Sequence, residues 1–326
     1  MSQQRGAALI IVLFIVALAA TLAAQMAADL MVQVQRAQNI QTHQQAKWYS
    51  YGAEELVKKV LLESKKDEPE KVHLDQPWAL SEVPYPVDHG TLSGEVSDLQ
   101  ACLNLNALRA PKKQGSSSTD TNPAHKALLS LLTNIEDLPL DESEEALADS
   151  VYDWLDEDSI TFRSGAEEDE YMSRTTPYLS ANNLFASESE LRVIKGFNPL
   201  VMEKIKPYVC VIPGNTELKV NVNTVIADQA LLLSALLDGL SESGAQAVIS
   251  ARPEKGFDSV EDFFIEARNQ GAKVDKTSEE LFTVDSNYFK LRAKALFDER
   301  RFSMTSIIQI NQGQATILAR KFGGVQ

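Results

Sequence analysis

Cysteine is nearly absent: Cys102 and Cys210 are the only two in 326 residues, which excludes a disulfide-dense scaffold and any four-cysteine zinc site. Histidine is almost as scarce. His43, His73, His89 and His125 show no metal-ligand spacing, and no HExxH, GxSxG or GxxxxGK[ST] pattern occurs, so each is read as a surface residue and the chain as a non-enzyme. Positive charge is short as well, with 31 Lys and Arg against 46 Asp and Glu, net −15. That balance argues against gripping the phosphate backbone of a nucleic acid. Proline does not occur before Pro69.

What fills that proline-free stretch is apolar. From Ala7 to Ala28 there is no charge, and about 20 such residues at about 1.5 Å each cross a hydrocarbon layer of roughly 30 Å as a helix. Leu30, Val34, Ala37, Trp48, Tyr51, Leu56, Val57, Val60 and Leu61 then recur at three- and four-residue steps among Gln, Lys and Glu. The pattern predicts one rod of roughly 90 Å from Ala7 to Lys65, with Gly52 its weak point. Two separate helices are the alternative. Arg5 and the alanines near Ala24 also fit a secretory signal loosely, but the apolar run exceeds the usual 7 to about 15 residues; a plain anchor stays open too.

Beyond the helix, GTLSGEVSDLQACLNLNAL from Gly90 reads as two short strands, and YFKLRAKALF, RFSMTSIIQI and QATILARKF between Tyr288 and Phe322 as three more. In the last, Ala315, Ile317 and Ala319 alternate with Thr316, Leu318 and Arg320. The middle, residues 107–285, is mostly helical by periodicity and carries strand residues 208–223. Residues 111–123 read as a mobile surface loop. LNLNALRA (Leu103–Ala110) is echoed by VNVNTVIA (Val220–Ala227). ELRVIKGFNPLVMEKIKPYV and LLSALLDGLSESGAQAVISAR both have a helix, glycine turn, helix shape. Asp238 and Glu242 flank the second turn, which favours a structural helix pair over a DNA site.

The short positive leader Met1–Gly6, ending in glycine before a long apolar helix, resembles that of type IV pilins and pseudopilins. The resemblance implies cleavage by prepilin peptidase between Gly6 and Ala7 and N-methylation of Ala7. Where most relatives carry a glutamate at the fifth mature position, this chain has Ile11, and an uncharged residue suits a subunit with none above it, at the filament tip. Together with DWLDED, GAEEDEY, YLSANNLFASESEL and VNVNTV, these features resemble the minor pseudopilin K family of type II secretion systems. The implied fold is α+β and pilin-like, a long N-terminal helix on an antiparallel sheet with a large helical insertion. Its parts are leader 1–6, filament-core helix 7–28, pilin-like domain 29–106 with 286–326, and insertion 107–285. The implied protein is single-pass in the inner membrane with its soluble domain in the periplasm. There it joins minor pseudopilins I and J on the major pseudopilin filament of the secretion machinery, initiating and capping the pseudopilus that exports folded proteins. A minor tip pilin of a type IV or competence pilus is the alternative, and an anchored calcium-dependent enzyme is the reading from another class.

DWLDEDSITFRSGAEEDEY holds eight carboxylates that repel one another unless they face water or share a cation, and calcium takes six to eight oxygens. No glycine stands where an EF-hand needs one, so the run alone is a solvated charge cluster. The family resemblance implies calcium, with Asp156 and Asp158 as ligands, Glu167, Glu168 and Asp169 as the next candidates, and Asp153 beside them. Export to an oxidising compartment makes a Cys102–Cys210 disulfide the expectation, with two buried free thiols as the alternative.

Overall fold

The computed structural model describes residues 4–79, 84–88, 90–109, 122–297 and 300–323. His89 and most of the 111–123 loop lie outside them. Helix α1 (Gln4–Asp67) is unbroken over 64 residues and runs on through Gly52. No proline or competing cap interrupts its ladder. Its first half is apolar enough to cross a membrane and touches nothing, whereas its second half buries a stripe at Ala46, Ser50, Glu54, Leu61 and Ser64.

That stripe lies on a five-stranded antiparallel sheet of order β1 (Tyr85–Val87), β2 (Gly90–Asp98), β7 (Tyr288–Phe297), β8 (Arg300–Asn311) and β9 (Gln314–Phe322). Alternation sets its inner face: Phe289, Leu291, Ala293, Ala295 and Phe297 of β7, and Phe302, Met304, Ile308 and Ile310 of β8, join Leu61 and Trp78 in one core. The strict alternation expected for β9 fails at Leu318. A bulge there leaves Ile307 opposite Ala319 and Ile308 opposite Ile317, and it shifts the phase so that Arg320, rather than Ala319, reaches α1. Arg320 forks onto the buried Glu54 at 2.7 and 2.8 Å, and Ser306 donates to the same carboxylate. Those partners, against the cost of burial, hold Glu54 below the usual carboxylate range.

Between the adjacent strands β2 and β7 the chain makes its long excursion, which folds as two units on one frame. The first runs from β3 (Leu103–Asn104) through helices α2 (Pro123–Asn134), α3 (Glu144–Leu155), α4 (Glu168–Met172) and α5 (Pro199–Ile205) to β4 (Val209–Cys210), parallel to β3. The second runs from β5 (Val220–Asn221) through α6 (Ala230–Leu236), α7 (Glu242–Ala251), α8 (Val260–Asn269) and α9 (Lys276–Glu279) to β6 (Phe282–Thr283), parallel to β5. In each, the second asparagine of an Asn-x-Asn brackets a distant phenylalanine. Asn106 accepts from the Phe185 N–H at 2.7 Å and donates to its carbonyl at 3.1 Å; Asn223 does the same to Phe257 at 2.7 and 3.0 Å. Both phenylalanines precede a capping box, Ser187 with Glu190 and Ser259 with Asp262. Gly256 makes room for the second bracket, since a Cβ there would lie 2.5 Å from the Asn223 side chain.

Several expectations need correction. His73 and His125 are buried, not surface residues: His73 contacts Glu68 at 2.5 Å and His125 contacts Asp149 at 2.8 Å. Only His43 is exposed among the described three. The strand residues 208–223 are two short strands, separated where Pro213 and Gly214 turn the chain. The first helix pair begins with a 3-10 helix, Glu188–Val193, started by the Ser187 capping box and followed by Gly196 in the left-handed region. Leu103 and Asn104 belong with the insertion through β4 rather than with the pilin-like sheet.

Candidate metal centre

Helix α3 is started by the Ser143 side chain, which accepts from the Ala146 N–H, and is held inward by Leu147, Val151, Trp154 and Leu155. Its last turns aim two buried aspartates at the chain that follows. Asp149 accepts from the Ser164 N–H at 3.2 Å, and Asp153 accepts from the Phe162 N–H at 3.0 Å. The loop after α3 is thereby folded back onto the helix. Gly165 is what permits the contact, since a Cβ would sit 2.1 Å from the Asp153 carboxylate.

This folding brings Asp156, Asp158 and Glu167 together, with one carboxylate oxygen of each within 4.8 Å of the others. Asp156 caps the C-terminus of α3, where the helix dipole is itself negative. Burial, then Asp158 and Glu167, push the Asp156 carboxyl up to about 7. Burial raises Glu167 too, with Asp158 adding to it and a hydrogen bond from Ser180 opposing it. Burial pushes Asp153 up to about 8 against the Phe162 hydrogen bond, with the Glu167 charge adding to the rise. Arg109 sits at the rim but pairs with Glu157.

The six candidate ligands therefore separate. Asp156, Asp158 and Glu167 converge; Asp153 is adjacent but spends its oxygens on the loop backbone. Glu168 and Asp169 open α4, outside the converging group, and Asp169 is exposed. Two further residues come from the segment that crosses the cluster. Ser180 donates to Glu167 Oε2 at 2.9 Å, and Asn182 donates from Nδ2 to the Asp158 carbonyl at 3.0 Å. Asp156 Oδ1, Glu167 Oε1 and Asn182 Oδ1 are buried atoms without a hydrogen-bond partner. An all-oxygen donor set with unsatisfied, crowded negative charge fits a hard divalent cation and offers nothing to a soft one.

Behind the first unit, Cys102 and Cys210 are joined as a disulfide, with Cα atoms 5.8 Å apart. It closes a loop with sequence separation 108 and packs with Leu99 and Ile212 between the insertion and the sheet.

Two family models described as type II secretion system (T2SS), protein K, match residues 101–214 and 220–285, the two units in turn. The Type II secretion system protein K of Aeromonas hydrophila is 34% identical over 99% of this chain and 98% of its own length. The chain belongs to the type II secretion system protein K family. The relative from Pectobacterium carotovorum subsp. carotovorum is 31% identical over the same shares. A chain of the solved GspK-GspI-GspJ complex of the enterotoxigenic Escherichia coli type 2 secretion system superposes with a TM-score of 0.76 at 33% identity, covering 89% of this chain and 100% of that one. Membership decides for a secretion component over a competence pilin, and the α+β fold is that of the family. Ala7 and Ile11 both lie within the membrane-compatible part of α1, and Ile11 is 59% exposed.

Proposed function

We propose that the chain is a minor pseudopilin at the tip of the type II secretion pseudopilus, where it helps initiate and cap the filament that drives folded periplasmic proteins through the outer membrane. The observation that carries this reading is α1 of a protein K family member: one continuous helix whose outer half is apolar, unpacked and uncharged at Ile11. A carboxylate in hydrocarbon is costly unless a neighbour pairs with it, so its absence suits the subunit with no neighbour above. Minor pseudopilins I and J are its partners, which the complex containing the E. coli relative supports. Prepilin peptidase cuts between Gly6 and Ala7 and Ala7 is methylated, leaving a single-pass inner-membrane protein with its folded part in the periplasm. Its role is structural rather than catalytic.

Asp156, Asp158 and Glu167 hold a calcium ion in this reading. When bound, the ion supplies the positive charge that the three carboxylates and the α3 terminus lack. The residues do the rest: Asp149 and Asp153 fix the loop, Gly165 lets it approach, and Ser180 orients Glu167.

Mass spectrometry of the chain produced with its secretion machinery tests the proposal. A methylated N-terminus at Ala7 and co-purification with minor pseudopilins I and J are expected. A mature start near Asp29, or a chain that purifies alone, contradicts it.

A further inference from the structure

The charge of the chain is unevenly spread. Residues 107–285 carry 32 Asp and Glu against 16 Lys and Arg, whereas residues 286–326, which include β7, β8 and β9, carry 2 against 7. Strand alternation sorts those cations. The odd-numbered residues of β7, from Phe289 to Phe297, enter the core against α1, so its even-numbered residues stand on the face turned away from α1. Strand pairing then sets Glu95, Arg292, Thr305 and Lys321 in one row across β2, β7, β8 and β9. Lys294 stands in the next row opposite Ser303, and Arg301 one row further, opposite Leu296. Four cations thus share this part of the face with one carboxylate.

The acidic insertion does not neutralise them. It covers the other end of the face, where Glu188 pairs with Lys290 at 2.7 Å and Tyr288 and Ile307 pack beside the disulfide. Among the described residues, the side chains of Arg292, Arg301 and Lys321 make no ion pair or hydrogen bond, and Glu95 does not close on Arg292 although it stands directly opposite. A lysine on an edge strand can act simply to deter edge pairing, which accounts for Lys321 on β9 but not for Arg292 on the central β7. Cations gathered on one face repel one another, and an anionic partner removes that repulsion. The hydroxyls of Ser303 and Thr305 stand among them as donors for carboxylate oxygens.

We propose that this sheet face docks an acidic surface of another protein, whose carboxylates pair with Arg292, Arg301 and Lys321. Protein rather than lipid follows from the placement. The face lies on the far side of the sheet from α1, so a membrane-crossing α1 points it sideways, along the bilayer plane rather than onto it. The test needs no other secretion component, so the tip reading above can fail without touching this inference.

Anisotropy of a short fluorescein-labelled polyglutamate peptide, titrated with the full chain in uncharged detergent at low salt, reads the docking. The wild type binds the peptide although its own net charge is −15, and added salt releases it. Arg292→Ser combined with Arg301→Ser and Lys321→Ser binds at least about tenfold more weakly, the loss expected for three surface ion pairs. Arg292→Lys with Arg301→Lys keeps the charges and retains most of the binding, and Lys255→Ser with Lys276→Ser, exposed in the second unit, binds as wild type does. No binding by the wild type, undiminished binding by the triple serine variant, or an equal loss in the second-unit variant overturns the inference. Dimerisation of the wild type that the triple variant lacks would assign the face to a second copy. Protection of Lys321 from acetylation in phosphatidylglycerol but not phosphatidylcholine nanodiscs would assign it to lipid, and either result overturns the inference as well.

Discussion

Immediately after its second helix, the first unit of the insertion places Asp156 and the second places Arg252. From there the two part company. The first runs from Asp156 to Leu184 before reaching its bracketed Phe185, whereas the second runs only from Arg252 to Gly256 before Phe257. Arg252 turns its guanidinium inward and donates to the carbonyls of Val222 and Val225 at 2.9 and 2.8 Å, so the second unit satisfies itself. Asp156 and the long connection bring three carboxylates together, two of which, Asp156 and Glu167, keep a buried oxygen atom without a hydrogen-bond partner. A common frame thus carries two outcomes, one closed and one that calls for a cation.

The largest expected effect tests the frame. Asn106→Ala and Asn223→Ala each orphan a buried phenylalanine N–H and C=O and should each cost about 4 kcal/mol in urea unfolding. A near-neutral change in only one would show that the two brackets are not equivalent. Next is the bridge that only the first unit possesses. Replacing Cys102 and Cys210 by serine should lower stability by about 3 kcal/mol, by loss of loop closure and packing, as read in the same unfolding experiment.

The ion comes third. Calcium at a hundredfold excess over its dissociation constant should stabilise the wild type by about 2.7 kcal/mol. Asp156→Ala with Asp158→Ala should abolish that rise in melting temperature. Arg252→Ala should lower the baseline but leave the calcium increment in place.

The smallest effect concerns the joint with the sheet. Asn221 of the second unit donates to the buried Asp98, which also accepts from Thr224, Ser286 and the Gln100 N–H, whereas Asn104 of the first donates to the Asn215 carbonyl. Burial raises the Asp98 carboxyl from 3.8 against those four donors. The sign follows: its stability contribution is complete below the unfolded value of 3.8 and is lost as pH rises through the higher folded value. Asp98→Asn should flatten the fall in melting temperature above pH 4, and Asn104→Ala should leave that slope unchanged.

Much of the frame was legible because periodicity and caps are local. The apolar steps of α1, the β7 alternation and the serine caps of α3 and α7 can each be read from a short window. The Asn-x-Asn echo was legible as a repeat but not as a bracket, because its partners Phe185 and Phe257 lie far along the chain. The burial of His73 and His125, beside Glu68 and Asp149, was hidden as well, because it depends on tertiary packing rather than on a local pattern. Leu318 illustrates another limit: a bulge depends on the partner strand, so no pattern within β9 reveals it. At the metal centre the acidic run marked the place, but the choice among Glu167, Glu168 and Asp169 depended on where α4 begins. The hydrogen bonds of Ser180 to Glu167 and of Asn182 to the Asp158 carbonyl had no counterpart in the sequence reading. Asn-Asn reads as an ordinary turn, and its only sequence signal was asparagine's tolerance of left-handed backbone.

Hydrogen exchange of the full chain in detergent, with and without calcium, tests the contrast between the units most directly. Peptides within residues 156–184 should exchange at least about tenfold more slowly with calcium, while those covering 252–256 stay unchanged. Equal exchange in both conditions throughout, or equal protection of both units, would contradict the assignment of the ion to the first unit alone.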